Sequence, residues 1–168
     1  MDKRKMKWSQ LEDKATKIAD KLGKQLDKGI KEVVISLWSL GFPTLGSCEG
    51  HIDWGVKAPW VDIGEDLPEK ELEKLKLDKP PHVSKIFEKF PNLKRLKERN
   101  LKRQRYLLEL LTQYYKDHKV LEDERLILTM IGIYGFCRLT NQGAEIQEVN
   151  TKSNQKIKLK RYQQEILL

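Results

Sequence analysis

Cysteine is nearly absent from this chain: Cys48 and Cys137 are the only two in 168 residues, and they lie far apart. That excludes the dense disulfide framework on which small secreted domains rely and points to a reducing, cytoplasmic setting. Long apolar runs are missing too. The longest, Leu126 to Cys137, contains Thr129 and two glycines and stops well short of the roughly 20 residues that cross a bilayer. The basic start, Met1 to Lys7, leads into an amphipathic pattern instead of an apolar core, so neither a signal peptide nor membrane insertion is expected. There is no internal repeat, and no regular alternation of basic and aromatic positions of the kind that single-strand-binding sheets use. A second paired-ligand motif is also lacking. Cys48 and His51 could join Asp53 and a fourth group from Asp62, His82, His118 or Cys137 around an ion, but one Cys-x-x-His is weak evidence, and no metal is assigned.

What is present suits one compact unit, residues 1–168, with enough apolar residues (39%) for a core and enough charge (35%) to sheathe it. The net charge of +8 favours acidic partners, with RNA, a nucleotide or another phosphate-bearing ligand first and an anionic membrane surface second. The plainer reading is a lysine-rich surface that keeps a small protein dispersed.

Ser9 and Glu12 have capping-box spacing, and Trp8, Leu11, Ala15, Ile18 and Leu22 recur every three or four residues, which predicts a first helix. After Asp27-Lys28-Gly29, the stripe Ile30, Val33, Val34, Leu37, Trp38 predicts a second, ending at Gly41. Thr44 to Cys48 and Trp60 to Ile63 read as strands. Residues 64–81, with Pro68, Pro80 and Pro81, form a charged surface excursion. Val83, Ile86, Phe87 and Phe90 define a short helix stopped by Pro91, and a long helix spans 92–118, basic first and apolar later. Arg125 to Thr140 reads as strands bent at Gly132 or Gly135, residues 144–149 as another strand, and 153–168 as a basic C-terminal helix. The class is α+β: a small, mainly antiparallel sheet covered by N-terminal and central helices.

The run Ser47-Cys48-Glu49-Gly50-His51 gathers a hydroxyl, a thiol, a carboxylate and an imidazole beside a glycine. Residues three apart on a strand face opposite ways, so Cys48 and His51 meet only if Gly50 turns the chain sharply. If they meet, Cys48 and His51 are the catalytic candidates, thiol as nucleophile and imidazole as acid/base. Otherwise Cys48 is a small buried hydrophobe. Alternatively, backbone N–H groups around Gly46, Ser47 and Gly50 cradle an anion. Trp60 offers a wall for a planar ligand. Asp62, between apolar neighbours on a strand, needs a partner, and Arg138 in an equally apolar run is the candidate. Ser47, Gly50, Trp60, Asp62 and Arg138 are therefore the ligand-binding set. On the long helix, Lys94, Arg95, Arg99, Lys102 and Arg103 form a candidate nucleic-acid surface, or simply a solvated helix end.

Gly41-Phe42-Pro43-Thr44, Ser47 to His51 and Pro59 to Ile63 together resemble small bacterial and phage proteins with an SCxGH strand-loop, a likeness that implies no particular activity. More remotely, Thr44 to His51 is similar to the wybutosine-synthesising tRNA methyltransferase family, whose Ser-Ser-Cys-Ser-Gly-Arg motif lines its site. Ser47, Cys48 and Gly50 stand on matching positions, whereas His51 replaces the arginine and Gly46 the first serine. The resemblance implies a strand-loop that presents Ser, Cys and Gly backbone to a nucleotide-like ligand, with no cofactor assigned. The expected function is recognition of a nucleotide or RNA-like ligand at this loop, with its modification left open. The alternative is a non-enzymatic nucleic-acid-binding or protein-interaction module that uses the 92–118 helix.

Overall fold

A computed structural model describes residues 7–19, 23–51, 58–67 and 83–143. The expected strand at 144–149, the C-terminal helix at 153–168 and most of the 64–81 excursion lie outside them. The described residues form an α+β fold, with strands β1 (Thr44–Cys48), β2 (Trp60–Ile63), β3 (Leu126–Ile131) and β4 (Phe136–Asn141). The strands make one antiparallel sheet in the order β1-β2-β4-β3. Helices α1 (Trp8–Lys17), α2 (Lys31–Ser39), α3 (Val83–Lys89) and α4 (Pro91–Asp117) accompany it.

The sheet has a buried face because its strands alternate. Val61 and Ile63 of β2 point the same way as Cys137 and Leu139 of β4, and they join Ile30, Val34 and Leu37 from the α2 region and Leu107 from α4 in one core. Phe42 closes that core and stacks on Tyr106 of α4, ring centroids 5.8 Å apart. Burying each such side chain contributes about 1.5–3 kcal/mol, which is why α2 and α4 share this face. Trp60 and Asp62, with Phe136 and Arg138, occupy the other face.

Helix α1 departs from expectation in its end, its cap and its packing. It ends at Lys17, so Ile18 is extended and Leu22 lies outside the described residues. Its start is also not capped by Ser9; instead the Lys7 N–H donates to the Gln10 side chain at 3.0 Å. Rather than covering the sheet, α1 packs on α2 through Leu11, Ala15 and Ile35. Helix α2 follows a short turn, Lys28–Ile30, and ends in a Schellman arrangement, with the Phe42 N–H on the Leu37 carbonyl and the Gly41 N–H on that of Trp38. This ending aims Pro43 directly into β1.

Helix α4 begins at Pro91, which stops α3 and then takes the first position of the next helix, where its missing N–H costs nothing. One residue on its buried stripe is polar. Asn100 accepts the Glu65 N–H at 2.8 Å and donates to the carbonyls of Glu65 and Tyr134 at 3.2 and 3.1 Å. It thereby fastens α4 to the exit of β2 and to the β3–β4 turn. At the far end, the Leu126 N–H donates to the Tyr115 hydroxyl at 2.6 Å, and burial raises that phenol's pKa.

Candidate functional site

Two stretches meet at the end of β1. The Glu49 N–H donates to Asp27 Oδ2 at 3.3 Å, and the Glu49 carboxylate accepts the Gly29 N–H at 2.7 Å. The residue ahead of α2 and the residue after β1 are thus clamped reciprocally. A Cβ at position 29 would sit 2.7 Å from Glu49 Oε2, so a larger residue there would oblige the carboxylate to shift.

Beyond the clamp, Gly50 takes a φ of +85°, the left-handed region that a β-carbon disfavours. The turn directs its N–H to Cys48 Sγ at 3.4 Å and swings His51 back toward the thiol. One ligand-type atom each from Asp27, Cys48 and His51 then lie within 4.8 Å of one another, on half-buried side chains. His51 Nε2 is shielded from solvent. Lys24 Nζ reaches Asp27 Oδ1 at 3.2 Å from the exposed side. A nucleophile, a base and a carboxylate within reach of one another can support covalent chemistry, and sulfur, nitrogen and oxygen donors together can also hold a metal.

A second group lies across the neighbouring strands. Asp62 and Arg138 are opposite each other in the β2–β4 ladder, where Arg138 Nε donates to Oδ1 at 2.7 Å and Nη2 to Oδ2 at 2.9 Å. The guanidinium also lies over the Trp60 ring, 4.0 Å from its centroid, and that ring reaches across β1 at Gly46. Cys48 pairs with Trp60 in the β1–β2 ladder, and directly opposed residues share a face. The thiol therefore belongs to the sheet face that carries Trp60, Asp62 and Arg138.

The other sequence candidates divide. Ser47 pairs with Val61, a core residue, so it faces the helices and parts from Cys48. Gly50 shapes the turn, and its N–H points at sulfur. Trp60 has one ring face occupied by Arg138. Asp53 and His82 lie outside the described residues. His118 stacks on Tyr114 at the end of α4. Cys137 is buried in the core, where desolvation, reinforced by the Asp62 charge, pushes its thiol up to about 11.

On α4, Lys94, Arg95 and Lys102 are exposed, but Arg99 and Arg103 both bind Glu65 Oε2, at 2.9 and 3.0 Å. The Arg103 hydrogen bond is the main cause that holds the Glu65 carboxyl below its ordinary value, partial burial opposes it, and Arg99 adds to it. Two of the five expected phosphate contacts are thus already engaged within the protein.

Sequence reasoning missed two residues. Asp27 reads only as part of a helix-breaking Asp-Lys-Gly, a turn signal that carries no hint of a partner beyond β1. Asn100 had a fainter sign, since it continues the Leu93–Leu96–Leu107 stripe as its one amide. Comparison with family models, curated proteins and solved structures finds no match to this chain.

Proposed function

We propose that the Ser47–His51 loop is the binding site for a nucleotide or RNA-like ligand, with Cys48, His51 and Asp27 as its chemical centre. The observation that carries this reading is the convergence of those three side chains, half-buried, at the end of β1. His51 acts as acid/base toward the ligand or toward the thiol, Cys48 is the nucleophile, and Asp27 orients the imidazole. Asp62 and Arg138 brace the adjoining strands and hold Trp60 in place. The net charge of +8 supports an anionic ligand, since a basic surface raises the local concentration of phosphate-bearing molecules.

The test is titration of the full chain with nucleoside mono-, di- and triphosphates and with a short single-stranded RNA, read by calorimetry. A member of this set should bind, and Cys48→Ala and His51→Ala should each weaken it by about tenfold or more, the loss of roughly 1.4 kcal/mol. If none binds, or if binding responds only to neutralising Lys94, Arg95 and Lys102, the loop is not the site.

A further inference from the structure

We infer that Asp27, Cys48 and His51 form a site for a borderline-soft divalent metal ion of the zinc class, bound by three protein ligands with one coordination position left open. This rests on the reading of that cluster as the functional centre and deepens it, with the Cys48 thiolate and the His51 imidazole serving as ligands in place of nucleophile and base.

The donor set argues for the class of ion. Thiolate and imidazole select against magnesium and calcium, which take oxygen ligands, and one sulfur, one nitrogen and one carboxylate oxygen suit zinc. The ligand count argues for an open position, because sites with three protein ligands leave the fourth to water or substrate. Among the described residues no further histidine, cysteine or acidic side chain joins the group. Glu49, the nearest in sequence, spends its carboxylate on the Gly29 N–H.

Spacing fits as well. With bonds of about 2.0–2.3 Å, tetrahedral ligand atoms stand roughly 3.3–3.8 Å apart. The three atoms here lie within 4.8 Å of one another, so adjustments of about an ångström, small side-chain rotations, would complete the coordination. The surroundings already orient two of the ligands. The Glu49 N–H holds Asp27 by Oδ2, and the Gly50 N–H points at Cys48 Sγ, the kind of outer contact that stabilises a ligating thiolate.

The test uses the full chain, stripped with a chelator and titrated with cobalt(II) as a spectroscopic stand-in, then with zinc against a chromophoric chelator. A single equivalent should bind and give a thiolate-to-cobalt charge-transfer band. Cys48→Ser should abolish the band, Cys137→Ser should keep it, and Asp27→Asn and His51→Ala should weaken zinc binding by about tenfold or more. Should Cys48→Ser fail to fold, zinc must instead protect Cys48 of the unaltered chain from alkylation, mapped by mass spectrometry. Absence of the band, or of that protection, overturns the inference. Nucleotide titrations of the stripped and loaded protein separate the two readings: nucleotide binding with no metal uptake overturns the metal site alone, and metal uptake with no nucleotide binding overturns the nucleotide reading alone.

Discussion

The two cysteines occupy opposite environments, and the difference follows from strand register. Cys137 points with Leu139 into the helix-covered core, whereas Cys48 sits opposite Trp60 on the other face, half-buried at a strand end. In the metal-stripped protein one thiol, that of Cys48, should therefore react promptly with a disulfide reagent, and the second only on unfolding. A reagent that titrates both at once in the folded protein would contradict the assignment. Burial also links Cys137 to alkaline stability. Its thiol is raised from 9.0 to about 11 in the fold, so between those values the unfolded chain loses this proton and the folded one keeps it. Stability should fall as pH rises through that window, and Cys137→Ala should reduce the fall in denaturant midpoint. Nothing in the run Phe136-Cys137-Arg138-Leu139 beyond alternation announces this, yet alternation is enough to set Cys137 and Arg138 on opposite faces.

Helix α4 takes part in contacts of several kinds. Its leucines reach the core, its first turns carry exposed cations, and Asn100 bonds to two separate backbone segments. Replacing Asn100 by Leu keeps the volume but strands the Glu65 N–H and two carbonyls in a buried setting. Each group left without a partner costs about 1–3 kcal/mol, so the variant should lose roughly 2–4 kcal/mol after relaxation, seen as a lower urea midpoint at constant slope. A loss below about 1 kcal/mol would mean that water replaces the amide. The helix itself was legible in sequence almost to the residue, because a period of 3.6 needs no knowledge of the partner. The role of Asn100 was not, because its partners lie more than thirty positions away.

At the scale of the whole molecule, polar ties link elements that apolar packing brings together. Glu65 is one such tie, gripped through its backbone by Asn100 and through its carboxylate by Arg99 and Arg103. Since its folded pKa lies below 4.5, the stability it contributes is fully present above that value. It is lost as pH falls through the lower folded value, where the excess positive charge of the chain also grows. Glu65→Gln should therefore flatten the acid limb of a stability-against-pH profile and leave the alkaline limb alone. An unchanged acid limb would show that the two arginines are no closer to Glu65 than to solvent. No helix among the described residues is long and apolar enough to cross a membrane.

By itself the sequence determined what is local: the helical stripes, the two short strands before and after the loop, the Gly50 turn and the alternation that sets Asp62 and Arg138 each on the opposite face from its apolar neighbours. Each of these depends on a few consecutive residues and their backbone preferences. Tertiary structure alone decided that Asp27 reaches Cys48 and His51, that Ser47 turns away from them, that α1 lies on α2 instead of the sheet, and that Glu65 claims two of the helix arginines. Those outcomes depend on which strands pair, in which register, and on which face the helices bury their apolar stripes, and no periodicity within one segment encodes the partner it will meet.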